Sequence, residues 1–129
     1  SLGDWFSNSL ACVRGDLIRA SAEVRGDSVI ANCSGPAAAL VIHNPDDRLA
    51  SFAGAERTRE LRTEENACNW ETTPTEPSTL KCVSHSACTD NPVHFCPHEL
   101  DNDPRGNYYP HNWPAITSQA IRDFFESLR

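Results

Sequence analysis

Gly35-Pro36-Ala37-Ala38-Ala39-Leu40-Val41-Ile42-His43-Asn44-Pro45-Asp46-Asp47 is the stretch that decides the fold. Residues 37–42 form an apolar run with no polar interruption, closed by Gly-Pro on one side and Asn-Pro on the other. A strand with one wet face alternates apolar and polar residues, whereas a strand buried on both faces reads as a continuous run. This one therefore predicts the interior of a parallel sheet covered on both sides. Working outward, residues 4–12 place Trp5, Phe6 and Leu10 at helical spacing behind Asp4 as a helix cap. A short apolar run at 28–31 predicts a second strand. Residues 53–62 are charged and helix-prone, with Ala55 and Leu61 as their apolar points, and 66–78 is a loop by composition. Strand-like pieces follow at 79–83 and 92–95, then an irregular segment over 97–110. Ile116, Ala120, Ile121, Phe124, Phe125 and Leu128 line one face of a final helix. There is no internal repeat and no low-complexity tract. The order α, β, β, α, β, β, α is that of an α/β protein. Only three or four strands are visible, fewer than a doubly covered sheet normally has, and no strand leads into the first helix. The chain reads as the second half of something larger.

The 129 residues fit at most one domain, and 39% hydrophobic content with 22% charged makes the chain globular. Eighteen acidic against eleven basic side chains leave a net charge of −7. Without a basic stripe for phosphates, nucleic acid and anionic membrane surfaces are poor partners, and neutral ligands are expected. No apolar run approaches the roughly 18 residues of a membrane span. Four of the six cysteines lie between Cys68 and Cys96 in a loop-rich segment, a pattern of disulfides and of a secreted or periplasmic protein. No Cys-x-x-Cys is present, which argues against structural zinc. There is no basic and apolar leader either, so any secretion signal is expected to have been removed or to lie outside this chain. Six cysteines allow fifteen connectivities. Cys12 with Cys33 is favoured because a helix and the loop before the buried strand can meet there. Cys82 with Cys88 follows by proximity, leaving Cys68 with Cys96, and the other connectivities stay open.

Three residues suggest chemistry together: Ser1 in Ser1-Leu2-Gly3, Asp47 just past the buried strand, and His111 in His111-Asn112-Trp113-Pro114 before the final helix. A hydroxyl is a weak nucleophile until an imidazole takes its proton, and the imidazole needs a carboxylate to hold its tautomer and stabilise its charge. In α/β-hydrolases these groups occur in the order Ser, acid, His, with the Ser on a Gly-x-Ser-x-Gly elbow that runs into a helix. Ser1-Leu2-Gly3 matches the last three positions of that elbow. Each signal alone is weak, since Ser-x-Gly is common, an Asp after a strand usually caps a turn, and a lone His in a Pro-rich loop is usually structural. Their order and context together raise the catalytic reading.

The chain resembles, over essentially its whole length, the carboxyl-terminal half of secreted α/β-hydrolase esterases of the feruloyl esterase and polyhydroxybutyrate depolymerase type. The residues that carry the resemblance are Leu10-Ala11-Cys12 after the elbow helix, the acid motif 41–47 followed by Ser51-Phe52-Ala53-Gly54, the cysteines Cys68, Cys82, Cys88 and Cys96, and His111-Asn112-Trp113-Pro114. The resemblance implies one partial α/β-hydrolase domain over 1–129, running from the elbow to the carboxyl-terminal helix. It implies Ser1 as nucleophile, Asp47 as acid, His111 as general base and the Leu2 amide as one oxyanion donor. It implies a serine carboxylesterase acting on a feruloyl, acetyl or polyester-type ester, with no cofactor and no metal. Its partners would be a neutral ester and the amino-terminal half of the same hydrolase, as a second chain or a missing segment. Asn44-Pro45 stands where the family has Gly-Thr, and Asp46 competes with Asp47 for the acid role, with Asp47 favoured. The first Gly and the strand of the elbow are absent, as is the second oxyanion donor.

Other features weigh toward plain readings. His43, ending the buried strand, reads as a hydrogen-bonded core histidine. His85, His94 and His98 lie among the cysteines, and the spacing of the last two suits a metal only on a helix. Residues 101–107 offer oxygen ligands and a glycine but lack the closing Glu of a calcium loop, and read as a turn-rich loop. Tyr108, Tyr109 and Trp113 form either an aromatic wall for substrate or packing. Asn32-Cys33-Ser34 fits a glycosylation acceptor, but a disulfide-bonded Cys in its middle argues against its use. Two other functions stay in view: a cleaved-precursor enzyme using the free amine of Ser1 as base, and a disulfide-stapled binding module without catalysis.

Overall fold

The computed structural model describes residues 2–27 and 32–129. Strand β2 (Ala38–His43) is buried at every position, as its uninterrupted apolar run requires. It lies between β1 (Ala20–Val24) and β5 (Val93–Pro97), parallel to both, with Val24 opposite Ile42 and Val41 opposite Phe95. Beyond β5 the sheet turns antiparallel through β4 (Val83–His85) and β3 (Thr72–Pro74), giving the order β1-β2-β5-β4-β3. The described residues therefore form a mixed α/β fold with a five-stranded sheet, three α-helices and three disulfides.

Alternation along β2 sends Leu40 and Ile42 to one face and Val41 to the other. The first face packs with Val24, Leu80, Cys82 and Cys96 under helix α3 (Thr117–Ser127), through Ala120 and Phe124. Val41 and Phe95 pack on the opposite face against Ala55 of helix α2 (Phe52–Glu65). Ser51 caps α2, its hydroxyl accepting the Gly54 amide at 3.1 Å. Helix α1 (Leu2–Val13) lies on β1, and Asn8 donates to Glu23 of that strand.

The two strands flanking the core differ from expectation. β1 forms from Ala20-Ser21-Ala22-Glu23-Val24, which carries little apolar signal, whereas the strand expected at 28–31 lies outside the described residues. β3 arises inside the segment expected to be loop. The strand expected at 79–83 begins as a 3₁₀ turn over Ser78–Leu80, because Lys81 adopts a left-handed conformation (φ 55°) and extended pairing starts only at Val83. Asp4 sits inside the first turn of α1 rather than capping it, and its carboxylate accepts the Val24 amide at 3.2 Å.

All six cysteines are paired. Cys12–Cys33 joins the end of α1 to the loop before β2, where Ser34 also donates its amide to the Cys12 carbonyl. Gly15 is required beside this junction, since a Cβ there would overlap the Gly35 carbonyl. The other two pairs are Cys68–Cys88 and Cys82–Cys96, not Cys82–Cys88 and Cys68–Cys96. The antiparallel register that sets Val83 opposite Phe95 brings Cys82 to Cys96, with their Cα atoms 3.9 Å apart. The Asn69 amide bonds the Ser86 carbonyl and draws Cys68 toward Cys88. Sequence proximity of Cys82 and Cys88 is overridden by strand pairing. Among the described residues no helix is long and apolar enough to cross a membrane.

Candidate functional site

At the carboxyl end of β2 the chain leaves the sheet through Asn44 and Pro45 and folds back at Asp47. The Asp47 Oδ1 accepts the amides of Leu49 at 2.8 Å and Ala50 at 3.0 Å, which fixes the carboxylate in the turn before α2. Its Oδ2 meets His111 Nδ1 at 2.6 Å, across 64 residues of sequence. The Asp47 side chain is fully buried and that of His111 nearly so. Burial alone pushes the Asp47 carboxyl up. The amide of Ala50, the His111 ring and the amide of Leu49 outweigh it and hold the acid below its ordinary value. An ionised acceptor on Nδ1 keeps the ring proton there and leaves Nε2 as the acceptor, the tautomer that general-base catalysis needs. Asp46 is exposed, so the carboxylate on His111 belongs to Asp47.

The end of β1 joins this pair to α1. Asp4, in the first turn of α1, accepts the Val24 amide, and the next residue, Arg25, donates from Nη1 to the His111 carbonyl at 2.9 Å. The first turn of α1, which carries the Leu2 amide, and the His111 loop are thus bound to adjacent residues of one strand end. A helix N-terminus presents amides without intrahelical partners, suited to an anionic oxygen. Ser1 lies outside the described residues. Leu2 is the first residue of α1.

Around His111, the Tyr109 ring stands edge-on at 6.1 Å between centroids, and the Arg25 guanidinium lies 6.0 Å from the centre of the Trp113 ring. Tyr108, Tyr109 and Trp113 are all exposed, leaving aromatic surface open beside the imidazole. The Trp113 indole donates to the Ser118 hydroxyl at the start of α3.

The remaining histidines take structural places. His43 is fully buried and donates Nε2 to the Ala50 carbonyl at 2.9 Å, and burial lowers its pKa. His98 is buried too, and burial together with nearby His43 pushes it down to about 4, so it is neutral, its Nδ1 accepting the Leu100 amide. His85 accepts from Arg59 and holds the Asn69 carbonyl, and His94 sits edge-on to Phe124. His94 lies in a strand and His98 just beyond it, not on a helix. Among the described residues no three His, Cys, Asp or Glu side chains gather as metal ligands. In the 101–107 loop the Asp103 carboxylate is engaged by the amides of Arg105 and Asn107.

Three residues at the site escaped the sequence reading as contributors: Arg25, Asn44 and Asn112. Asn112 donates to the carbonyls of Leu100 and Tyr109, both at 2.8 Å, and holds the His111 loop in its bend. Nothing in the sequence marks Arg25, whose contact spans 86 residues. No protein-family model matches the chain, and no curated protein matches it.

Proposed function

We propose that the chain is the carboxyl-terminal, catalytic-residue-bearing half of a secreted α/β-hydrolase, and that it acts as a serine carboxylesterase on neutral esters. The observation that carries this reading is the buried Asp47 carboxylate held on His111 Nδ1, with the His111 loop and the first turn of α1 bonded to adjacent residues at the end of β1. Ser1 is the nucleophile. His111 Nε2 takes the hydroxyl proton as Ser1 attacks the ester carbonyl, and Asp47 stabilises the imidazolium. The tetrahedral oxyanion forms against the Leu2 amide and a second donor supplied by the amino-terminal half. His111 returns the proton to the leaving alcohol, and water repeats the sequence on the acyl-enzyme to release the acid.

Support for a missing half comes from the surface of α1 and β1. Among the described residues β1 ends the sheet, with no strand paired to its outer edge. Leu2, Trp5, Phe6, Leu10 and Val13 of α1 and Leu17 after it are exposed large apolar side chains, the kind of surface that marks an interaction site. A parallel strand added along β1 would cover this edge, and its loop would bring the second donor. Three disulfides in so small a domain favour an oxidising compartment.

The test is covalent labelling with a fluorophosphonate, located by peptide mass mapping. Modification of Ser1 that is abolished by His111→Ala is the expected result. Labelling indifferent to His111 would overturn the esterase reading and favour a disulfide-stapled binding module. Because losing one oxyanion donor costs about 100- to 1,000-fold in rate, the chain alone should turn over an activated aryl ester slowly at best.

A further inference from the structure

The acid loop and the histidine loop are joined by more than the contact between Asp47 and His111. Asn44, buried at the end of β2, donates Nδ2 to the Asp101 carboxylate at 2.7 Å and approaches the Leu100 carbonyl at 3.5 Å. Its Oδ1 accepts the Asp46 amide at 2.9 Å, fixing the turn that delivers Asp47. The same Leu100–Asp101 segment anchors the histidine loop. Asn112 donates to the Leu100 carbonyl at 2.8 Å, and the Tyr109 amide donates to the Asp101 carbonyl at 2.7 Å.

We propose that Asn44 is a positioning residue, setting the Asp47 turn in register with the His111 loop through the Leu100–Asp101 segment. The proposal rests on the esterase reading for its catalytic consequence, but its geometry does not. A side chain with both a donor and an acceptor is needed at 44. The acceptor shapes the acid turn and the donor grips the opposite loop, so glycine can do neither and alanine leaves the Asp46 amide and the Asp101 carboxylate without this partner. The energetic logic is that of a short, strong hydrogen bond between Asp47 and His111. Such a contact is sensitive to a displacement of a few tenths of an ångström, and both of its loops leave the sheet at different strands. Without a brace their relative position would follow the thermal motion of each loop separately.

The far-downfield proton NMR signal of an imidazole Nδ1–H bonded to a buried carboxylate reads this geometry directly and needs no turnover. In the parent protein the signal is expected, and it should vanish in Asn44→Ala and weaken or shift in Asp101→Ala. Asp101 is only half buried, so the second variant keeps the experiment decisive if Asn44→Ala does not fold. Asn44→Ser, which retains a donor and an acceptor on a shorter arm, should restore part of the signal. In turnover of an activated ester by the assembled hydrolase, Asn44→Ala should lower kcat by up to about 100-fold with KM nearly unchanged. A signal present in the parent and unaltered in both variants would overturn the positioning role while leaving the contact between Asp47 and His111 standing. No signal in the parent, together with no Ser1 labelling, would remove the esterase reading itself.

Discussion

Asp47 uses both of its oxygens: one is shared by two backbone amides of its own turn, and the other meets His111. Replacing it with Asn would keep the shape but present an amide that cannot hold Nδ1–H as an ionised acceptor does. On the proposed esterase reading, Asp47→Asn is therefore expected to reduce kcat by about 10,000-fold, with the fold retained by circular dichroism. Glu23 is a contrasting acid. It is buried in β1 facing α1, and burial raises its pKa to about 8, against the lowering effect of the Asn8 amide and with nearby Asp4 adding to the rise. The folded chain keeps a proton on Glu23 that the unfolded chain releases above about 4.5. Stability from this group is thus complete below that value and is lost as pH rises toward about 8. Denaturant midpoints measured across this range should fall with pH in the parent and flatten in Glu23→Gln. His98 acts on the acid side: it stays neutral in the fold down to about 4 but charges from 6.5 when unfolded, so stability declines as pH falls through that interval. Local context singled out Asp47 and His111, which the structure brings into contact, while Ser1 lies outside the described residues. Arg25 and Asn44 were not, because a residue that braces a loop is recognised only by which loop lies opposite.

Helix α2 shows how an element can be right in place and misleading in detail. Its buried face is Gly54, Ala55, Thr58, Arg62 and Thr63, whereas Leu61, one of the two apolar points of the segment, is only half buried. Thr58 and Thr63 satisfy their own hydroxyls on the helix carbonyls four residues back, at 3.1 and 2.7 Å. Hydrophobic periodicity is silent on such a face. Removing the cap by Ser51→Ala should cost about 1 kcal/mol in chemical denaturation, the usual loss when a helix start surrenders its side-chain acceptor. The strands repeat the lesson in another form. β2 was legible because burial on both faces admits only apolar residues. β1, with small residues and Glu23, and the exposed β3 were not, because pairing rather than composition makes them strands. The bond between Cys82 and Cys96 closes a separation of 14 residues. Replacing both with Ala should destabilise the protein by about 3 kcal/mol in calorimetry.

Among the described residues the sheet is asymmetric: β3 at one end is short, while β1 at the other is a parallel strand with no partner on its outer edge, beside a helix with exposed apolar side chains. Phe6→Lys and Leu17→Lys should leave the melting temperature of the chain within a degree or two, because both side chains are already in solvent, yet weaken association with the amino-terminal half proposed above. Pull-down or calorimetric titration with that half checks this, and unimpaired association would place its docking surface elsewhere. Sequence alone determined the α/β class, the buried central strand, the oxidised state expected of six cysteines and the residue types proposed for catalysis, since burial and chemistry restrict those choices locally. Only the tertiary structure decided the strand order, the pairing of Cys68 with Cys88 and Cys82 with Cys96, and the meeting of Asp47 with His111. Each of these depends on bringing together residues far apart in the chain, and the energy that does so comes from sheet register and core packing shared among many side chains, which no single stretch of sequence contains.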